Sequence, residues 1–216
     1  METMTVLAMV LGGASGAAVG RLGGAVLSRL RRGVRPPPWS CETAVAVLWA
    51  LVAARTAAGA LPVWWAPVPL LLAWGGVLLV ACDLLASRLP DALTLPAYPA
   101  LFAAIGVASC ASGSPVSIGA ALLGAGLFAG VYLLVRLIAP ASLGPGDVKL
   151  SGALGAAVGA VALLAVPLSM LASAVLTLLH LRRSGGAAAP HGPAMLLPAW
   201  LVTAVGPVPS APVGGG

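Results

Sequence analysis

Long apolar runs, separated by short clusters of charge, proline and glycine, divide the chain. The first covers residues 4–27, and further runs fit 42–60, 64–82, 92–111, 117–139 and 193–208, with a longer apolar stretch over 150–181. None alternates with a period of two, so they read as helices and not as barrel strands. Pro36-Pro37-Pro38 closes the first polar loop, Pro62 separates the second run from the third, and Ser112-Gly113-Ser114-Pro115 separates the fourth from the fifth. No basic residue precedes the first run, and Arg21, Arg29, Arg31, Arg32 and Arg35 follow its start. It therefore reads as a span with its N-terminus outside and not as a cleavable signal peptide.

Residues 150–181 are harder to place. Lys149 and Arg182-Arg183 flank them, so both ends belong on the same side and the number of crossings between is even. As helix the stretch reaches about 48 Å at ~1.5 Å per residue. Two full crossings of a ~30 Å hydrocarbon layer need about 60 Å. One arm is therefore expected to be short or re-entrant, turning near Gly159-Ala160 or Pro167. The fold class is all-α: a polytopic transmembrane bundle of about seven to eight hydrophobic passes, N-out and C-out. One membrane domain fills 1–216, with N-terminal spans and a basic loop over 1–63, a core over 64–208 and a Pro/Gly-rich tail over 209–216.

Composition agrees with this class. The chain is 60% hydrophobic and 7% charged, with a mean hydropathy of +1.07, whereas soluble domains carry roughly 25% charged residues. The net charge is +6; the loops around 29–38, 83–91 and 140–149 hold most of the basic residues, while the loops around 60–66 and 110–117 carry no charge. The positive-inside rule then puts Asp83, Asp91 and Asp147 on the cytoplasmic side. The basic loops face anionic membrane lipid. No interleaving of aromatic and basic residues suits nucleic acid, so no nucleic-acid partner is expected. Cys41, Cys82 and Cys110 are widely spaced, without Cys-x-x-Cys or a zinc pattern, and read as buried small hydrophobes. Neither a metal nor a cofactor is expected. The glycines at 119, 124, 126, 130, 152, 155 and 159 read as close helix contacts without chemistry.

The candidate chemistry lies in the acids. There are five: Glu2, Glu42, Asp83, Asp91 and Asp147. The one lysine, Lys149, stands two residues from Asp147 within Gly144-Pro145-Gly146-Asp147-Val148-Lys149-Leu150. Carboxylates beside lipid are costly and usually functional. Gly-Pro-Gly-Asp also fits a type II turn, in which Asp147 caps a helix beginning at Val148. Asp91 reads as the N-cap of a helix beginning at Ala92. Asp83 caps nothing and stands near the end of the third span, where Arg88 is near enough in sequence to pair with it. If Asp83 and Asp147 face each other, they hold one proton between them and can do the acid/base work of peptide hydrolysis. Helix dipoles favour Asp147, at a helix start, as the base and Asp83, near a helix end, as the acid. Lys149 either attracts an acidic group of a substrate, holds its loop to lipid phosphate, or simply snorkels.

Two patterns carry a resemblance. Asp83 followed by Arg88-Leu89-Pro90-Asp91-Ala92-Leu93-Thr94, and Gly144-Pro145-Gly146-Asp147-Val148-Lys149-Leu150, resemble the two motifs of the type IV prepilin peptidase family, membrane aspartyl proteases that include the archaeal preflagellin peptidases. His191-Gly192-Pro193 resembles that family's late Gly-Pro, and the resemblance runs from about 64 to 208. It implies that Asp83 and Asp147 are the catalytic pair, with Gly144, Gly146 and Lys149 in the active-site loop and Asp91 dispensable. It implies cleavage of the basic leader of a prepilin or pseudopilin with an N-terminal hydrophobic helix, at the cytoplasmic face of the bacterial cell membrane. The cysteine-rich insertion that accompanies methyltransferase activity in the family has no counterpart here, so the chain looks like the short form serving tight-adherence pili or related secretion systems. Two other readings compete: an inactive homologue within a pilus or secretion assembly, and a proton-coupled transporter.

Overall fold

The computed structural model describes residues 2–31, 33–112, 118–140, 142–183 and 190–207. Arg32, the 113–115 part of the predicted break and the 209–216 tail lie outside these. Eight α-helices follow one another: α1 (Glu2–Arg29), α2 (Ser40–Ala57), α3 (Pro67–Ala86), α4 (Asp91–Ala111), α5 (Ile118–Ile138), α6 (Pro145–Val161), α7 (Ala165–Arg183) and α8 (Gly192–Val205). A short 3-10 turn, Val63–Trp65, leads into α3. Among the described residues there is no strand, as the absence of period-two patterning predicts.

Six helical segments, α1, α2, Val63–Ala86, α4, α5 and α7, are long and apolar enough to cross a bilayer. Their outward faces carry large apolar side chains such as Leu122, Leu123, Leu134 and Leu137 of α5, all more than half exposed. So much contiguous apolar surface is foreign to a soluble monomer and suits lipid. The chain is a multi-pass membrane protein.

The stretch 150–181 resolves into two arms, as its length requires. α6 has 17 residues and reaches about 25 Å. The break falls at Ala162–Leu164, between the two sites predicted for it, where Ala162 is extended (φ −161°, ψ 130°) and stops the helix. α6 is the axis of the bundle. From Leu150 to Ala160 every residue is buried, and its Gly/Ala composition lets neighbouring helices come close. A Cβ at Gly124 of α5 would stand 2.9 Å from the Cα of Gly159 and closer still to the Gly155 carbonyl. By contrast Gly126 and Gly130 have open space around them and take no part in packing. Leu72, Leu101, Phe128, Leu154 and Met195 join α3, α4, α5, α6 and α8 in one core.

α1 and α2 form a hairpin in contact along glycines 12, 16 and 20. A second, small cluster of Leu27, Cys41, Leu78 and Cys82 joins that hairpin to α3. Two of the three cysteines are thus buried as expected, but Cys110 is exposed. It occupies the outer face of α4, where an apolar thiol is at home beside lipid.

Hydrogen bonds pin both ends of the bundle. At one end Arg55 Nε donates to the Ala204 carbonyl (2.9 Å) and Trp65 Nε1 to that of Thr203 (2.8 Å). At the other end Leu89, Leu143, Gly144 and His191-Gly192 are tied to the helix ends by contacts, and Asp83, Asp91 and Asp147 lie there with them, as loop charge alone predicts.

Candidate active site

Asp83 lies inside α3 and not just beyond it. The helix continues to Ala86; the Ser87 N–H still bonds the Asp83 carbonyl at 2.8 Å, and the left-handed backbone of Ser87 (φ 48°) then turns the chain out of the helix. The Asp83 side chain is 8% exposed. Its Oδ2 accepts the N–H of Gly192, the first residue of α8, at 2.8 Å. The first N–H groups of a helix have no partner within it, so Asp83 caps α8 from another helix. A Cβ at Gly192 would stand 2.8 Å from that same oxygen, so only glycine permits this approach without a shift. Arg88 does not pair with Asp83: the ion pair found among the described residues is Lys149–Asp91.

Asp147, also 8% exposed, is the third residue of α6, which begins at Pro145. The predicted type II turn is therefore not formed. Pro145 occupies the first helical position, where its missing N–H costs nothing and its fixed φ suits the helix. Asp147 Oδ2 reaches back to accept the Gly144 N–H at 3.0 Å, the carboxylate half of a capping box. Gly144 and Gly146 serve close packing. A Cβ at Gly144 would stand 2.8 Å from Asp147 Oδ2, and one at Gly146 would stand 2.7 Å from the Leu89 Cβ. The segment before α4 therefore lies directly on the start of α6.

Asp91 is the first residue of α4, with Pro90 in the cap position, so it is not an N-cap. Its Oδ1 instead accepts from Lys149 Nζ at 2.7 Å. Lys149 thus forms an exposed bridge between α4 and α6, a partner that none of its readings from sequence named. Below it, the Tyr98 hydroxyl donates to the Lys149 carbonyl at 2.6 Å.

The two buried aspartates lie within electrostatic range of each other. Each accepts one backbone N–H at the start of a helix. The dipole asymmetry expected from their own helices is thus offset, because Asp83 faces the N-terminus of α8. Carboxylates that approach each other closely can share a proton and so serve acid/base chemistry. Among the described residues, no three His, Cys, Asp or Glu side chains converge as a metal site would require.

The model of the type IV leader peptidase family matches residues 70–181, more than half of the chain. The chain belongs to that family. The match spans both boxes, from α3 through α7, and identifies the protein as a membrane protein of a peptidase family. No curated protein and no solved structure matches it significantly. In this leader peptidase family member several residues beside the aspartates were not foreseen. Arg136 of α5 donates to the carbonyls of Leu143 and Pro140 (3.5 Å to the latter) and stands within electrostatic range of Asp147. Tyr132, one turn earlier, is buried, and its hydroxyl meets Ser173 Oγ (3.2 Å) and His191 Nε2 (3.1 Å). His191 Nδ1 meets Thr177 Oγ1 at 2.8 Å. His191-Gly192 stands out in the sequence as part of a motif, but its contact with Asp83, 109 positions away, has no local signature.

Proposed function

We propose that the protein is a membrane-embedded aspartyl endopeptidase that removes the leader of prepilin-like proteins at the cytoplasmic face of a bacterial cell membrane. The observation that carries this reading is the pair Asp83 and Asp147, both buried and within electrostatic range of each other in a bundle of the leader peptidase family. One carboxylate takes a proton from water as the oxygen attacks the scissile carbonyl. The other donates its proton to the carbonyl oxygen, giving a tetrahedral diol. As the diol collapses, one carboxylate gives its proton to the leaving amine and the other takes the proton of a diol hydroxyl as C=O re-forms, so the pair ends with one proton as it began. Gly144 and Gly146 shape the loop that presents Asp147, and the Lys149–Asp91 pair is an exposed contact beside it that the chemistry does not need.

Two features support the substrate class. Arg29, Arg31, Arg35, Arg88, Arg182 and Arg183 gather at the same end as the aspartates, which by the positive-inside rule is the cytoplasmic end. A groove of about 520 Å³ runs between α2, α3 and α8, lined by Leu48, Ala73, Val80, Leu84, Pro193 and Trp200. It reaches the turn that bears Asp83, and its apolar walls suit a hydrophobic helix whose start is to be cut there.

The test is cleavage by purified protein in phospholipid vesicles, using a substrate with a short basic leader before an apolar helix. The expected product is a single new N-terminus at the leader–helix junction, formed equally well in excess chelator. Cleavage that chelator abolishes and zinc restores would contradict the two-carboxylate chemistry.

A further inference from the structure

We propose that the last two turns of α5 set the distance between the two aspartates, with Tyr132 and His191 acting as positioning residues for Asp83. This rests on the peptidase reading and deepens it. Tyr132 and Arg136 are four apart, hence on one face of α5, and each begins a chain of contacts that ends on a different aspartate. Arg136 holds the Leu143 carbonyl, and the next residue, Gly144, gives its N–H to Asp147. Tyr132 holds His191, and the next residue, Gly192, gives its N–H to Asp83. In both arms the residue gripped by α5 is one peptide away from the donor that fixes a carboxylate.

The Tyr132 arm has a self-consistent direction. Thr177 Oγ1 donates to the Ser173 carbonyl at 2.9 Å. Its one proton is then used, so His191 Nδ1 carries the hydrogen and donates to Thr177. His191 Nε2 is left as the acceptor and takes the Tyr132 hydroxyl proton. The Tyr132 oxygen can in turn accept from Ser173 Oγ. The circuit starts and ends on Ser173 of α7, every hydroxyl has a partner, and the imidazole is neutral. His191 precedes α8, and burial holds its basicity below the usual imidazole value, in keeping with that state. The rings of Phe128, Tyr132 and His191 also follow one another at 5.0 and 5.7 Å, so the imidazole is packed as well as bonded. Among the described residues, the charged groups that the contacts place near this circuit are Asp83 of α3, Asp147 of α6 and, one turn on from Tyr132, Arg136 of α5.

A brace of this kind makes a distinctive prediction. Two coupled carboxylates lose their protons in two steps that are set apart by their interaction. A slack brace lets Asp83 move away from Asp147, and the two steps draw together. Tyr132→Phe removes only the hydroxyl and keeps the ring on Phe128. In vesicles it should lower kcat by about 10- to 100-fold, the scale of a sub-ångström to ångström misplacement, with KM changed little and the two limbs of the pH–rate profile closer together. His191→Ala should do the same, and His191→Gln, whose amide reaches the Nε2 position, should restore most of the rate.

A second measurement needs no activity. In an Asp91→Asn background, isotope-edited infrared titration follows the carboxyl C=O bands of Asp83 and Asp147. Their two steps should be separated in the parent and closer in Tyr132→Phe. Unchanged kcat and an unchanged separation in Tyr132→Phe would overturn the proposal. So would a kcat loss matched by a lost thermal midpoint with the pH profile unaltered, which is the mark of a merely structural role. If the parent cleaves nothing, the peptidase reading fails while the infrared separation still decides the brace.

Discussion

Replacing Gly192 by alanine tests the contact between Asp83 and α8 most sharply. The added Cβ would stand 2.8 Å from Asp83 Oδ2 and 3.3 Å from its Cβ and Cγ. Ordinary contact begins near 3.4 Å, so the oxygen or the helix start must give way by about 0.6 Å (3.4 − 2.8). The neighbour is a short side chain on a packed helix and cannot swing clear as a lysine tip would. Overpacking of this kind costs about 1–3 kcal/mol, partly offset by the roughly 1 kcal/mol by which alanine outranks glycine in a helix. Net destabilisation should therefore stay below about 2 kcal/mol, and the protein should fold. The rate should suffer more. A 1 Å misplacement of a reacting group costs on the order of 100-fold, so a shift of about 0.6 Å predicts a loss of tenfold or more, equivalent to at least ~1.4 kcal/mol in the barrier. The assay is leader cleavage in vesicles alongside thermal unfolding in detergent, with Gly130→Ala as control because nothing lies within 4 Å of its new methyl. A Gly192→Ala protein that cleaves at the wild-type rate would refute the idea that this contact fixes a working carboxylate.

Four further outcomes follow from the same geometry. Gly124→Ala pushes a methyl onto the backbone of Gly155 and Gly159, so it should lower stability by at least about 1–3 kcal/mol, read as a lower thermal midpoint. Asp91→Asn breaks only an exposed ion pair, so stability should fall by less than about 1 kcal/mol and cleavage should stay within a few-fold of wild type. Tyr98→Phe removes the hydroxyl that donates to the Lys149 carbonyl, and denaturation in detergent should register a loss of at least about 1 kcal/mol. His191 titrates below the free imidazole value of 6.5 in the folded state. The unfolded chain therefore takes up its proton first as pH falls, and the His191 contribution to stability, intact above pH 6.5, is lost below it. Thermal midpoints should show wild type losing stability relative to His191→Gln below that pH.

The aspartates were legible because charge is so scarce here: an acid in a chain of 7% charged residues stands out, and loop charge sufficed to gather all three at one end. The two-armed shape of 150–181 was legible from length against bilayer thickness. The exact break was not, because Ala162–Leu164 carries neither glycine nor proline to mark it. Local turn chemistry misled at Gly144-Pro145-Gly146-Asp147, since proline and glycine suit both a type II turn and a helix start, and the close approach of Leu89 to Gly146 comes from a distant part of the chain. Asp91 and Lys149 looked like separate local features, and their bond joins positions 58 apart. Tyr132 resembled any aromatic in an apolar span. Its partners come from α7 and the turn before α8, and no periodicity in α5 announces them.

The most direct test of the central claim is cleavage of candidate prepilins from the same genome, co-expressed in membranes with wild type, Asp83→Asn, Asp147→Asn and Asp91→Asn. Leader loss is read by gel shift and N-terminal sequencing. The account predicts cleavage by wild type and Asp91→Asn and none by the other two, with all four proteins present at equal levels. Leader removal that survives Asp83→Asn or Asp147→Asn would contradict the dyad.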